Sequence, residues 1–180
     1  MASSIIIVIT VVILFRHQQF NSSTLLRSLS YSVALSVRQA QLYGTSVRGE
    51  TSGATPTFPG YGVYFASGNP TTYFLFADKD GNEVRSSDGS EDINTFNLSG
   101  GYQIKDFCAK TQAGADYCET TGEIEELTVH FLRPNPDALF STDVSATYTS
   151  ASIQLESPGG DTRSITVSLT GQISVGGVGT

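Results

Sequence analysis

From Ile5 to Tyr43 the chain contains neither Gly nor Pro, and nothing else in it constrains the fold as strongly. The stretch opens with an uncharged apolar run, Ile5-Ile6-Ile7-Val8-Ile9-Thr10-Val11-Val12-Ile13-Leu14-Phe15, and continues through Arg16-His17-Gln18-Gln19-Phe20. Beyond it, Leu26, Leu29, Val33, Val37 and Ala40 follow the three- and four-residue steps of one stripe of an amphipathic helix. Asn21, Ser22, Ser23 and Thr24 could cap a new helix or lie inside a long one. A continuous helix from Ile5 to Tyr43 would be roughly 60 Å long at 1.5 Å per residue. Gly44 and Gly49 supply stop signals.

The charge distribution divides the chain at the same place. Residues 1–48 contain Arg16, Arg27, Arg38 and Arg48 and no acid, a charge of +4. The remainder sets all 17 acids against the other 6 of the 10 bases, a charge of −11, and the two parts sum to −7. An acidic globular part argues against nucleic acid as the main partner. With 180 residues, 39% of them hydrophobic, the chain can bury one sizeable core. Its 18 Gly and abundant Ser and Thr favour strands and turns over a helical bundle.

The run from Ile5 to Phe15 is shorter than the roughly 17–25 residues of a spanning helix. A cleavable signal peptide would need a basic start and an Ala-x-Ala-like exit, and neither is present. Arg16 follows the run and no base precedes it, so the positive-inside rule read literally leaves the C-terminal part in the cytoplasm. The expectation that reconciles these facts is an in-frame extension upstream of Met1 carrying a basic leader and further apolar residues.

After Val47 the composition changes. Residues 49–60 read as a linker, rich in Gly, Thr and Pro. Strands are expected at Tyr61–Phe65, Thr72–Ala77, Gln103–Phe107, Ile124–Leu132, Ala146–Glu156, Arg163–Leu169 and Gln172–Val175. The clearest alternation is Ile153 and Leu155, then Ile165, Val167 and Leu169, then Ile173 and Val175, with turns at residues 157–161 and at Thr170-Gly171. The expected division is an N-terminal helix over 1–48, a linker over 49–60 and an antiparallel β domain over 61–180. The expected class is α+β: a long N-terminal helix, half hydrophobic anchor and half amphipathic, packed on an antiparallel sheet or sandwich. Tyr31, Leu35 and Leu42 fall opposite the packed stripe, where an isolated domain would expose them.

Candidate chemistry is sparse. His17 ends the apolar stretch and His130 sits in a strand pattern, Thr128-Val129-His130-Phe131; both read as structural histidines. There is no Gly-x-Ser-x-Gly elbow, phosphate loop or His-Glu-x-x-His, so catalysis is not expected and no cofactor is implied. Glu123, Glu125 and Glu126 read as a solvated cluster. Cys108 and Cys118 flank a polar loop without a nearby His, which excludes a zinc-finger pattern. They are expected to form a disulfide, with free thiols in a reducing cell as the alternative. Asp78, Asp80, Asn82 and Glu83, with Asp88 and Glu91 soon after, have the oxygen density that calcium requires. Asp80-Gly81 is also a strong turn signal, and the plain turn is the preferred reading.

Two segments carry a family resemblance. Residues 25–31, Leu-Leu-Arg-Ser-Leu-Ser-Tyr, with Ala34-Leu35-Ser36-Val37-Arg38-Gln39-Ala40-Gln41, resemble the helix of type IV pilin-like proteins. Residues 163–175, Arg-Ser-Ile-Thr-Val-Ser-Leu-Thr-Gly-Gln-Ile-Ser-Val, resemble the terminal hairpin of H-type minor pseudopilins of type II secretion and related minor pilins. The middle of the chain matches in style only. Such proteins begin with a basic leader, a Gly cleavage site and a Phe-Thr-Leu-Ile-Glu-like start, none of which follows Met1 here. The resemblance implies a non-catalytic structural subunit of a pseudopilus or pilus. Its partners would be other pilin-like subunits, met through the N-terminal helix. It would reside in the inner membrane as a single-pass protein, with an extracytoplasmic C-terminal domain, before assembly. The alternative is a membrane-anchored extracytoplasmic binding or adhesin domain that does not polymerise.

Overall fold

A computed structural model describes the backbone of residues 2–46, 50–51, 56–57 and 59–179, and the side chains of residue 10, residues 22–46 and residues 59–177. One helix, α1 (Ala2–Thr45), is followed by a two-stranded pairing of β1 (Glu50–Thr51) and β2 (Pro56–Thr57). Ten further strands form two antiparallel five-stranded sheets. The first contains β3 (Gly60–Ala66), β4 (Thr72–Asp78), β5 (Asp92–Asn97), β8 (Glu126–Phe131) and β9 (Ala138–Thr142), in the order β5-β4-β3-β8-β9. The second contains β6 (Gln103–Thr111), β7 (Asp116–Cys118), β10 (Tyr148–Glu156), β11 (Thr162–Ser168) and β12 (Ile173–Gly179), in the order β12-β11-β10-β6-β7.

This arrangement corrects the expected α+β class with its anchor half. With ten strands in the two five-stranded sheets against a single helix among the described residues, the protein is mostly β. The helix residues with described side chains, 22–45, are not apolar enough to cross a membrane, and no helix among the described residues is. The physical reason lies in their composition, because Ser28, Ser32, Arg27 and Arg38 occupy the exposed side of that segment. The run Ile5–Phe15, on which the anchor expectation rested, lies outside the described side chains except for exposed Thr10.

The stripe expected to pack does so. Leu26, Val33, Val37 and Ala40 are buried and Leu29 is partly buried against the same core. Helix α1 lies over β3 and β8 of the first sheet and over β11 and β12 of the second, so one helix face closes both. Tyr61, Val63 and Phe65 of β3 join this core with Ile153 and Leu155 of β10 and Ile165 and Val167 of β11. Each alternates with residues of the opposite face, as the two-residue strand period requires.

Polar contacts fix how the helix seats. Ser36 Oγ lies 3.2 Å from the Tyr73 hydroxyl, and Tyr102 donates to the Ser22 carbonyl at 3.0 Å. Buried Gln41 donates from Nε2 to the carbonyls of Pro136 at 2.9 Å and Gly171 at 3.0 Å. Gly171, at φ +74°, has no room for a side chain: a Cβ there would meet the Pro136 carbonyl oxygen at 2.1 Å. The β11–β12 turn is thus specified twice, by its backbone conformation and by the helix it touches.

Candidate functional site

The face of the first sheet turned away from α1 carries an unusual packing. In the register of β3, Gly60 pairs with Asp78 on β4, while Gly62 pairs with Phe76 on β4 and with His130 on β8. Directly paired residues share a face, so Gly60, Gly62, Phe76, Asp78 and His130 all lie on this side. The two glycines leave the strand bare, and neighbouring rings fill the space. A Cβ on Gly60 would sit 2.0 Å from His130 Nε2, and one on Gly62 would sit 2.7 Å from the Phe76 ring. The His130 ring therefore lies across β3, stacked with Phe76 at 6.4 Å between centroids and 17° between planes. Its Nε2 comes within 3.5 Å of Asp78 Oδ2.

The connection from β4 to β5, residues 79–91, folds back beside this face. Asp78 organises it: Oδ1 accepts the N–H groups of Gly81 (2.8 Å) and Asn82 (3.0 Å), and Oδ2 accepts that of Glu83 (3.1 Å). Buried Glu91 accepts the N–H groups of Lys79 at 2.7 Å and Ser86 at 2.9 Å. Arg85 completes the closure. Its guanidinium stands 3.9 Å from the Phe74 ring centroid and 5.5 Å from that of Tyr64, held by a two-pronged ion pair with Asp92 at 2.6 Å. Glu83 is held at φ +63°, a left-handed conformation uncommon for a residue with a side chain.

Burial governs the electrostatics. It raises the Asp78 carboxyl above the usual carboxylate value, an effect opposed by the three backbone N–H groups. Burial likewise lowers His130 below the usual imidazole value, opposed by the charge of Glu83. His130 is fully buried, yet neither ring nitrogen has a hydrogen-bond partner, and the approach to Asp78 is long for one. Both side chains border a cleft of about 260 Å³, which Pro59, Gly60, Asp80 and Glu83 also line.

Of the oxygen-bearing residues singled out in sequence, Asp78, Asp80 and Glu91 come together, with carboxylate oxygens within 4.8 Å of one another. Asn82 instead donates to Asp80 at 2.8 Å, and Asp88 accepts the Ser90 N–H at 2.9 Å. Asp80-Gly81 is not a tight hairpin turn, since β4 and β5 are separated by residues 79–91. The sequence did not place His130 beside Asp78. The signal that could have found it is Gly at alternate positions of a strand, which marks a close approach of something else.

The second concentration is the outer face of α1. Tyr31, Leu35 and Leu42 are 47%, 67% and 59% exposed, opposite the packed stripe, and the Arg27 guanidinium sits 5.8 Å from the Tyr31 ring centroid. Elsewhere, Cys108 and Cys118 are joined as a disulfide between paired positions of β6 and β7. Glu123 accepts from Thr121 Oγ1 at 2.7 Å, and the Tyr64 hydroxyl bonds to Glu126. The His17 side chain lies outside the described residues. No family model, curated protein or solved structure matches this chain.

Proposed function

We propose that this chain is a non-catalytic structural subunit of a pilin-like filament, a type II secretion pseudopilus or a type IV pilus. The observation that carries the reading is the division of α1 into two apolar sides. One is consumed by the β-sheets; the other, Tyr31, Leu35 and Leu42, is left in water by the single chain. Leu35 and Leu42 are two helical turns apart, about 10 Å along the axis. A row of this kind suits a helix that packs against neighbouring helices. The resemblance of residues 25–41 to pilin-like helices supports the same reading, and the Cys108–Cys118 disulfide supports an extracytoplasmic β-sheet part. An inner-membrane stage before assembly belongs to the proposal and rests on the sequence of Ile5–Phe15 alone.

The test is the double variant Leu35→Ser with Leu42→Gln, expressed in the native host. Filaments sheared from cells and pelleted should contain the parent chain and lack the variant, while the melting temperature of the purified variant stays within a few degrees. A variant that pellets like the parent overturns the filament reading and favours a binding domain that does not polymerise. A variant that loses several kcal/mol of stability shows that the row is buried within the monomer.

A further inference from the structure

Resting on the filament reading, we infer that the outer face of α1 docks against the acidic end of the first sheet in a second copy of this chain. That face repeats at the spacing of a helical seam. Ser28, Tyr31, Leu35, Arg38 and Leu42 are all exposed and follow steps of three, four, three and four. The exposed Arg27 lies beside Tyr31, its guanidinium 5.8 Å from the ring centroid. Eleven residues separate Arg27 from Arg38, so the two stand nearly in line, about 16 Å apart along the axis. Neither pairs with a carboxylate among the described residues, and Arg38 donates instead to Gln41 Oε1. Residues 1–48 contain no acid. A two-fold pairing of outer faces would therefore bring Arg27 and Arg38 of both helices into one interface, with no carboxylate on either. The partner surface has to supply the negative charge.

The chain carries such a surface at one end of its first sheet. Glu126 on β8 pairs with Ala66 on β3, and Leu127 pairs with Thr142 on β9, which puts Glu123, Glu125, Glu126 and Asp143 at the same end. The Glu125 N–H donates to Asp143 Oδ1 at 3.0 Å and holds the two acids side by side. Glu123, Glu125 and Asp143 are exposed, and none of the four acids is in an ion pair among the described residues. The place of this end favours a head-to-tail contact. Tyr43 packs on Tyr61 near the start of β3, with ring centroids 5.5 Å apart. Ser36 reaches Tyr73, which stacks on Phe65 near the other end of the same strand. Helix α1 thus runs opposite to β3, and the acidic end lies on the side toward which the N-terminal part of the helix extends. A second copy displaced along the helix axis brings its acidic end beside the arginines of the first, while its own arginines stay open to a third. Such a contact is heterologous, and displacement along the axis propagates it as an open filament instead of a ring.

Charge exchange tests the pairing. In the native host, Arg38→Glu and Glu125→Arg should each reduce the chain recovered in sheared, pelleted filaments at least about tenfold. The two substitutions together should return it to within about twofold of the parent. Arg38→Lys keeps the charge and supplies an amine. Filaments of that variant treated with a carbodiimide should give a crosslink between the peptide containing position 38 and the peptide containing Glu123 and Glu125, in a species of twice the chain mass. Single variants that pellet like the parent overturn the docking and leave the filament reading standing. So does a double variant that is not restored, or a crosslink from position 38 to a different protein. Absence of the parent chain from the pellet removes the filament reading, and this inference with it. If Arg38→Glu does not fold, the crosslink decides, because Arg38→Lys preserves the charge of the face, and its absence from pelleted filaments overturns the docking.

Discussion

His130 reaches Asp78 across an intervening strand because residue 60, between them, is glycine. Asp78 is on β4 and His130 on β8, and β3 runs between them without a side chain at positions 60 and 62. Gly60→Ala should therefore cost about 1–3 kcal/mol, since its Cβ would overlap the imidazole and force the ring out of a filled space. Gly68→Ala, where an added Cβ meets nothing within 4 Å, should change stability by less than about 0.5 kcal/mol. Urea unfolding of the two variants checks the pair, and equal losses would contradict the packing described.

Acid should destabilise the protein through His130. Burial lowers the folded-state value below the ordinary 6.5, so below that pH the unfolded chain binds a proton that the folded protein refuses. Stability is then lost as pH falls from about 6.5 toward the folded value, at up to about 1.4 kcal/mol per pH unit. Asp78 acts oppositely in a lower window. Its raised value means that the folded protein binds the extra proton, so stability falls as pH rises from 3.8 to that value. Between pH 7.5 and 5.5 the histidine should dominate. Denaturant titrations at these pH values should show a decline in the parent that His130→Gln flattens; an equal decline in both would place the acid sensitivity elsewhere.

Reduction should act locally. The Cys108–Cys118 bridge closes a loop of sequence separation 10, for which loop-closure entropy gives about 2–3 kcal/mol. The Cys108→Ser/Cys118→Ser protein should unfold at lower denaturant by that amount while keeping its far-ultraviolet circular dichroism.

Gln41 should matter more than its position on a helix suggests. Gln41→Leu leaves the carbonyls of Pro136 and Gly171 without the donor that now serves both, and the expected loss is about 1–3 kcal/mol by thermal unfolding. Hydrogen exchange should quicken first at the turn between β11 and β12, where Gly171 sits.

The sequence showed the packed side of α1 because a helix facing a core on one side must repeat its apolar residues at three and four. It showed β10 and β11 because Ile153 and Leu155, and Ile165 and Val167, alternate with residues of the other face. It did not show β5, β7 or β9, and all three are edge strands. Ile93, Phe96 and Phe140 are only partly buried, and residues that remain half in water do not impose a strict alternation. Strand β6 runs on to Thr111, beyond the expected end at Phe107, because β7 folds back on it through the paired cysteines. The cleft over β3 was hidden for a different reason. Its histidine and its aspartate are brought together by strand register, which the spacing of residues along the chain does not encode.

The seat of α1 on both sheets has a mechanical consequence. Tension applied along the helix would meet the buried side chains Leu26, Val33, Val37 and Ala40 in shear, all loaded at once instead of peeled in turn. The twin bonds from Gln41 lie near the C-terminal end of the helix, so the same pull would be shared between the β11–β12 turn and the segment at Pro136. A protein built this way would yield by releasing the helix from both sheets together, and its resistance to traction would exceed what any single contact could supply.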